Sequence, residues 1–184
     1  KLPDAATAPA AAASGIAVFA ASIALDALHE LLADLERLGK AFDIDDILLR
    51  AAGSAFIEIS DAAKAGEAPV ALELDNRQVI FAATSGMPLT SLRGMRLAAQ
   101  ADTRDGAQVS ATFPVRLLPP TDIRPIMIPL FSGPAMRLTA PVGSAGDHAE
   151  CLLTADTAKF DEAASMAWLA ALKSAVEHPL RLFV

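Results

Sequence analysis

Cysteine is nearly absent from this sequence: Cys151 is its single representative among 184 residues. An internal disulfide and any multi-cysteine metal site are thereby excluded. Its place inside an apolar run reads as a buried, inert thiol rather than a nucleophile. Also missing is an uninterrupted apolar stretch of about 18 residues, which argues against a membrane-spanning helix. That holds although hydrophobic residues make up 53% of the chain and mean hydropathy is +0.40. Much of the apolar excess is alanine, which suits tightly packed helices or a sizeable assembly interface. Positive charge is in deficit, giving a net charge of −7, so no basic face is available to neutralise nucleic-acid phosphates. No phosphate loop, GxGxxG, GxSxG or HExxH occurs, and the common nucleotide, esterase and metalloprotease readings have no residues to rest on. No signal peptide is recognisable. The abrupt opening reads like an excised segment, with further domains or a targeting sequence expected upstream.

What is present is enough for one domain with one sizeable core. Residues 1–14, KLPDAATAPAAAAS, are low in complexity and lack a periodic apolar face, so they read as a linker or arm ahead of a domain spanning 15–184. Gly15 to Leu25 has the composition of a buried strand. Asp26 is a candidate N-cap for an amphipathic helix carrying Leu28, Leu32 and Leu35 on one face and ending at Gly39. His29, near its start, reads as exposed or capping. A second helix begins at Asp43 in DIDDILLRAAGSAF, where Asp43, Asp45 and Asp46 suit the positive end of the helix dipole. Capping plus a solvated helix start explains these carboxylates better than a metal site, since no histidine completes a coordination shell. Pro69–Leu74 and Gln78–Thr84 are expected to form a hairpin around Asp75, Asn76 and Arg77, and Thr90 to open a helix running to about Gln100. Further strands are expected at Gln108–Val115, Arg124–Leu130 and Pro134–Val142, with paired prolines at Pro119 and Pro120 marking a crossover.

The last third carries most of the information. A strand over Glu150–Ala155 leads into a polar turn, Asp156–Asp161. A helix over Glu162–Glu177 follows, closed by Pro179 and an apolar tail, Leu180, Leu182, Phe183 and Val184. Ala164, Trp168, Ala171, Leu172 and Ala175 form one stripe of that helix, with Trp168 either a core anchor or an interface anchor. The tail is expected to be covered, within a trimer or by a partner. The order of elements predicts an α/β sandwich with a mixed sheet rather than repeated βαβ units.

Several segments, in order, resemble the catalytic domain of the 2-oxoacid dehydrogenase dihydrolipoamide acyltransferases. DIDDILLRAAGSAF is similar to that family's SVNDFLIKAAALAL, RQVIFAATSGMPLTSL to GLVVPVIRDADKKSL, and IRPIMIPL to FTPIINPP. ATFPVRLL stands where TFTISNLG belongs, TADTAKFDEA where SADHRVVDGA belongs, and LAALKSAVEHPLRLFV follows FLxxLKxLLExPxxLLL. The resemblance implies a chloramphenicol-acetyltransferase-like fold that forms trimers and builds them into hollow cores.

It also implies a chemistry. In the family a histidine takes the proton from the attacking thiol across a subunit boundary, and a serine donates to the oxyanion. Here the histidine's position is Thr157, which has no basic nitrogen, and the serine's position is Arg116; of the motif only Asp156 and Asp161 persist. No catalytic residue is therefore expected. His148 and His178 are poorly placed to substitute, one being expected at the far end of the last strand and the other at the end of the last helix. The pattern is most similar to degenerate, non-catalytic members of the family. Such a component would assemble as a homotrimer, attach to a genuine dihydrolipoamide acyltransferase core, and recruit dihydrolipoamide dehydrogenase through an upstream domain. No cofactor is expected in this domain, and a lipoyl group is expected on an upstream one. The resemblance implies a mitochondrial matrix location, with bacterial cytoplasm as the alternative. Two other functions stay open: an active acyltransferase with an unorthodox base, and a trimeric binding module unrelated to dehydrogenase complexes.

Overall fold

In the computed structural model, the described residues are 15–63, 70–74, 77–81, 83–102, 113–118, 136–141 and 146–183. The expected linker over 1–14 and the expected strand at Arg124–Leu130 lie outside them. The described strands are β1 (Ile16–Ala24), β2 (Val70–Leu74), β3 (Arg77–Phe81), β4 (Phe113–Leu118), β5 (Met136–Pro141) and β6 (His148–Asp156). They form one sheet in the order β1-β6-β5-β4-β2-β3. Pairing is parallel for β2 with β4 and β4 with β5, and antiparallel elsewhere. The helices are α1 (Asp26–Arg37), α2 (Ile44–Ala63), α3 (Leu89–Ala101) and α4 (Glu162–Glu177), and a 3₁₀ turn over Pro179–Phe183 follows. Among the described residues no helix is long and apolar enough to cross a membrane.

The core forms between the sheet and the α2–α4 pair because both carry the right period. On β6, Ala149, Cys151, Leu153 and Ala155 alternate inward. On α4, the stripe from Ala164 through Trp168, Ala171 and Leu172 to Ala175 is buried as a unit. Trp168 is fully buried and its ring lies 5.5 Å from that of Phe56 on α2. Burying an aromatic side chain of this kind contributes roughly 2–3 kcal/mol. Trp168 is therefore an anchor of this chain's own core.

Several local expectations are corrected. Asp26 lies inside the first turn of α1; Leu25 holds the capping position and no side chain caps that end. The other end behaves as expected: Gly39 has φ +76°, and the N–H groups of Gly39 and Lys40 donate to the carbonyls of Glu36 and Leu35. The second helix runs on to Ala63, carried by the buried Phe56 and Ile59. Arg77 belongs to β3 and pairs with Leu74, leaving only Asp75 and Asn76 between the strands, both outside the described residues. β3 ends at Phe81, because the chain turns through Ala83 at φ +53° and places Thr84 against α2. There a Cβ built on Gly53 would stand 1.9 Å from Thr84 Oγ1, so only glycine allows that approach. Helix α3 starts at Leu89, one residue before Thr90. The strand expected over Gln108–Val115 is described only from Phe113 and runs on to Leu118.

The acidic start of α2 is solvated only at Asp43. Asp45 and Asp46 are buried, and Asp46 Oδ2 accepts from the Asp43 N–H at 2.9 Å, closing half of a capping box. Arg96 of α3, itself 3% exposed, reaches into the cluster and donates Nε–H to Asp46 Oδ1 at 2.7 Å and Nη2–H to Asp43. Arg93 adds a second bond to Asp43 at 2.6 Å. Two cations from the next helix thus face the cluster, and Arg96 replaces the water expected at the buried Asp46. Sequence reading missed them because they stand 50 residues downstream and face the cluster only once α3 has packed on α2.

Candidate functional site

The turn after β6 holds three of the four motif positions. Asp156 ends the strand, and its carbonyl accepts from the N–H groups of Lys159 and Phe160 at 2.9 Å. Its Oδ1 accepts from the Ala158 N–H at 3.1 Å, and Lys159 Nζ stands 3.5 Å from Oδ2. Asp161 caps α4: its Oδ1 accepts from the Ala164 N–H at 2.7 Å. Between them, Thr157 is committed to the start of β1. Its hydroxyl donates to the Gly15 carbonyl at 2.9 Å and accepts from the Gly15 N–H at 3.0 Å, while its own N–H donates to the same carbonyl at 3.0 Å. Each persisting aspartate therefore has a folding role, and the threonine extends the β1–β6 ladder by one clamp.

Arg116 is not brought to this turn. Its backbone pairs with Glu73 of β2 and Thr139 of β5, and Thr139 in turn pairs with Leu152 of β6, five residues before Thr157. Two strand spacings across and five residues along put the two positions on the order of 20 Å apart in one chain. On the sheet face opposite Leu138, Arg137 is buried and paired with Glu73. This buried pair lies in strands beside Arg116 and was not anticipated, since nothing in the local pattern of either strand marks it.

The three histidines are scattered. His148 is the first residue of β6, exposed, and separated from Thr157 by the nine-residue strand, roughly 30 Å. His178 is exposed at the C-terminal cap of α4, its Nδ1 3.1 Å from the Ser174 carbonyl. His29 lies half-buried in the first turn of α1. Cys151 is buried, and burial together with the charge of Glu150 pushes its thiol up to about 12, which keeps it protonated and unreactive. Among the described residues, no group of three or more His, Cys, Asp or Glu side chains is arranged to hold a metal ion.

Of the tail, Leu182 is buried in the chain's own core, so it leaves the set of expected interface residues together with Trp168. Leu180 is 68% exposed and Phe183 43%. Val184 lies outside the described residues.

The fold so assembled is the chloramphenicol-acetyltransferase-like fold. The structure superposes on chloramphenicol acetyltransferase with a TM-score of 0.61 at 12% identity, over 89% of this chain and 87% of that one. Within that fold it is also similar to the dihydrolipoamide acetyltransferase of Azotobacter vinelandii, with a TM-score of 0.69 at 14% identity over 94% of this chain and 85% of that one. The truncated catalytic core of the 2-oxoacid dehydrogenase multienzyme complex from Thermoplasma acidophilum gives 0.65 at 13% identity, covering 91% and 89%. No family model and no curated protein sequence matches the chain. At such identities the likeness defines the fold and leaves the chemistry to the residues.

Proposed function

We propose that this chain is a non-catalytic structural component of a 2-oxoacid dehydrogenase complex, of the kind known as protein X, with pyruvate as the parent substrate. The observation that carries the reading is Thr157. At the position where the resembling family keeps its base stands a hydroxyl that is both donating to and accepting from Gly15. It has no basic nitrogen, and its proton and one of its lone pairs are already in use. Loss of a general base alone costs roughly a hundredfold to ten-thousandfold in rate. The separation of Arg116 from Thr157 supports a site that forms only between subunits, and hence a homotrimer. The exposed Leu180 and Phe183 supply apolar surface for docking on a genuine acyltransferase core. Recruitment of dihydrolipoamide dehydrogenase through an upstream domain, a lipoyl group on such a domain, and a mitochondrial matrix location complete the reading. Bacterial cytoplasm is the alternative location.

The test is twofold. The purified chain is expected to transfer no acetyl group from acetyl-CoA to dihydrolipoamide, and in mass measurements to form trimers that join an active acyltransferase core. Measurable transfer abolished by changing His148 or His178 would establish an active enzyme instead. A monomer indifferent to the core would remove the assembly role and leave an unrelated binding module.

A further inference from the structure

A second site has no part in the 156–161 turn. An open pocket of about 330 Å³ is lined by Lys40, Phe42 and Arg50 and bordered by Leu89 and Thr90 of α3 and Phe183 of the tail. That size lies at the lower end of the range for small-molecule sites. Its walls are apolar except for two cations and Thr90, and among the described residues no acidic one lines it.

Arg50 is the informative group. It is half-buried, and its acceptors among the described residues are neutral: Nε–H donates to the Leu182 carbonyl at 2.8 Å and Nη1–H to the Met87 carbonyl. Neither Arg50 nor Lys40 meets a carboxylate among the described residues, whereas Arg93 and Arg96 nearby on α3 are both paired with aspartates. Burial lowers the pKa of Arg50. A guanidinium drawn out of water without an anion is costly, and the cost is recovered when an anion binds. The two carbonyls hold the guanidinium in place, and among the described residues Nη2 meets no acceptor, so its N–H groups can donate to a carboxylate oxygen. The side chains of Phe42, Leu89 and Phe183 around it match an apolar tail, which inorganic anions lack.

We infer that this pocket is a binding site for a small organic carboxylate with a short apolar tail, its head on Arg50 and Lys40 and its tail against Phe42, Leu89 and Phe183. The site uses Phe183, one of the two residues of the proposed docking surface, so it is tested on the chain without an acyltransferase core. Hexanoate is the probe, with hexanol and inorganic phosphate as controls, read by calorimetric titration of the whole chain. Hexanoate is expected to bind saturably at one site per chain, at least tenfold more tightly than either control. Lys40→Gln, at an exposed position, is expected to weaken it severalfold, and Arg50→Gln at least tenfold, with Trp168 fluorescence confirming that each variant is folded. Should Arg50→Gln fail to fold, Arg50→Lys, which keeps the charge and loses the fork, is expected to weaken hexanoate alone. Equal affinity for hexanoate and hexanol overturns the role of the cations, and equal affinity for hexanoate and phosphate overturns that of the walls. Absence of saturable binding overturns the site.

Discussion

Replacing Asp45 by asparagine is expected to stabilise the protein, by an amount that grows with pH. Asp45 is 4% exposed, and burial, opposed by Arg96 and aided by Asp43 and Asp46, pushes its carboxyl up to about 6 from 3.8. Between those two values the folded chain holds a proton that the unfolded chain has released, so stability falls as pH rises through the window. Asp45 thus costs almost nothing below pH 3.8, about 1 kcal/mol at pH 4.5, and about 3 kcal/mol above pH 7, at about 1.4 kcal/mol per pH unit. Asparagine keeps the shape without the charge. Arg96 retains Asp46 and Asp43 as partners, so it is not stranded. The assay is urea unfolding of parent and Asp45→Asn at fixed protein concentration from pH 4.5 to 8, followed by fluorescence of Trp168, the single and fully buried tryptophan. The gap between the midpoints should open with pH and level off near pH 7. A variant less stable than its parent at pH 7.5, or a gap that ignores pH, refutes the reasoning.

Arg96→Met removes the counter-charge of Asp46 and is expected to destabilise by about 3–5 kcal/mol at neutral pH; the same urea titration should show Asp45→Asn recovering part of the loss. Gly53→Ala gains about 1 kcal/mol of helix propensity but drives a methyl into Thr84, at about 1–3 kcal/mol. A net loss in thermal melting, relieved by adding Thr84→Ala, is the expected pattern. Thr157→Val removes both hydroxyl bonds to Gly15 at about 1 kcal/mol each, visible as faster amide exchange at Gly15, with Thr157→Ser restoring the protection.

Much of the fold was legible because period alone carries it. The β6–turn–α4 unit follows from the alternation of Ala149, Cys151, Leu153 and Ala155, from the capping aspartate Asp161, and from the three- and four-residue spacing up to Ala175. These are local signals, read within one or two turns of chain. The start of α2 misled for the converse reason. Asp43, Asp45 and Asp46 look the same in sequence whether water or arginine faces them, and only the packing of α3 decides. Arg50 was likewise invisible as a site, because its surroundings come from α1's exit, α3 and the tail.

By itself the sequence determined that Thr157 supplies no base, since no environment gives a hydroxyl a basic nitrogen. It also determined the order of the described strands and helices, through periodicities that tertiary contacts reinforce. Only the tertiary structure decided that Thr157 has another task on Gly15, that Trp168 and Leu182 are core while Leu180 and Phe183 stay outside, and that Arg96 meets carboxylates while Arg50 meets none among the described residues. The physical reason is that burial and charge pairing are properties of neighbours in space, and the aspartates on Arg96 and the carbonyls on Arg50 are 37 to 132 residues distant along the chain.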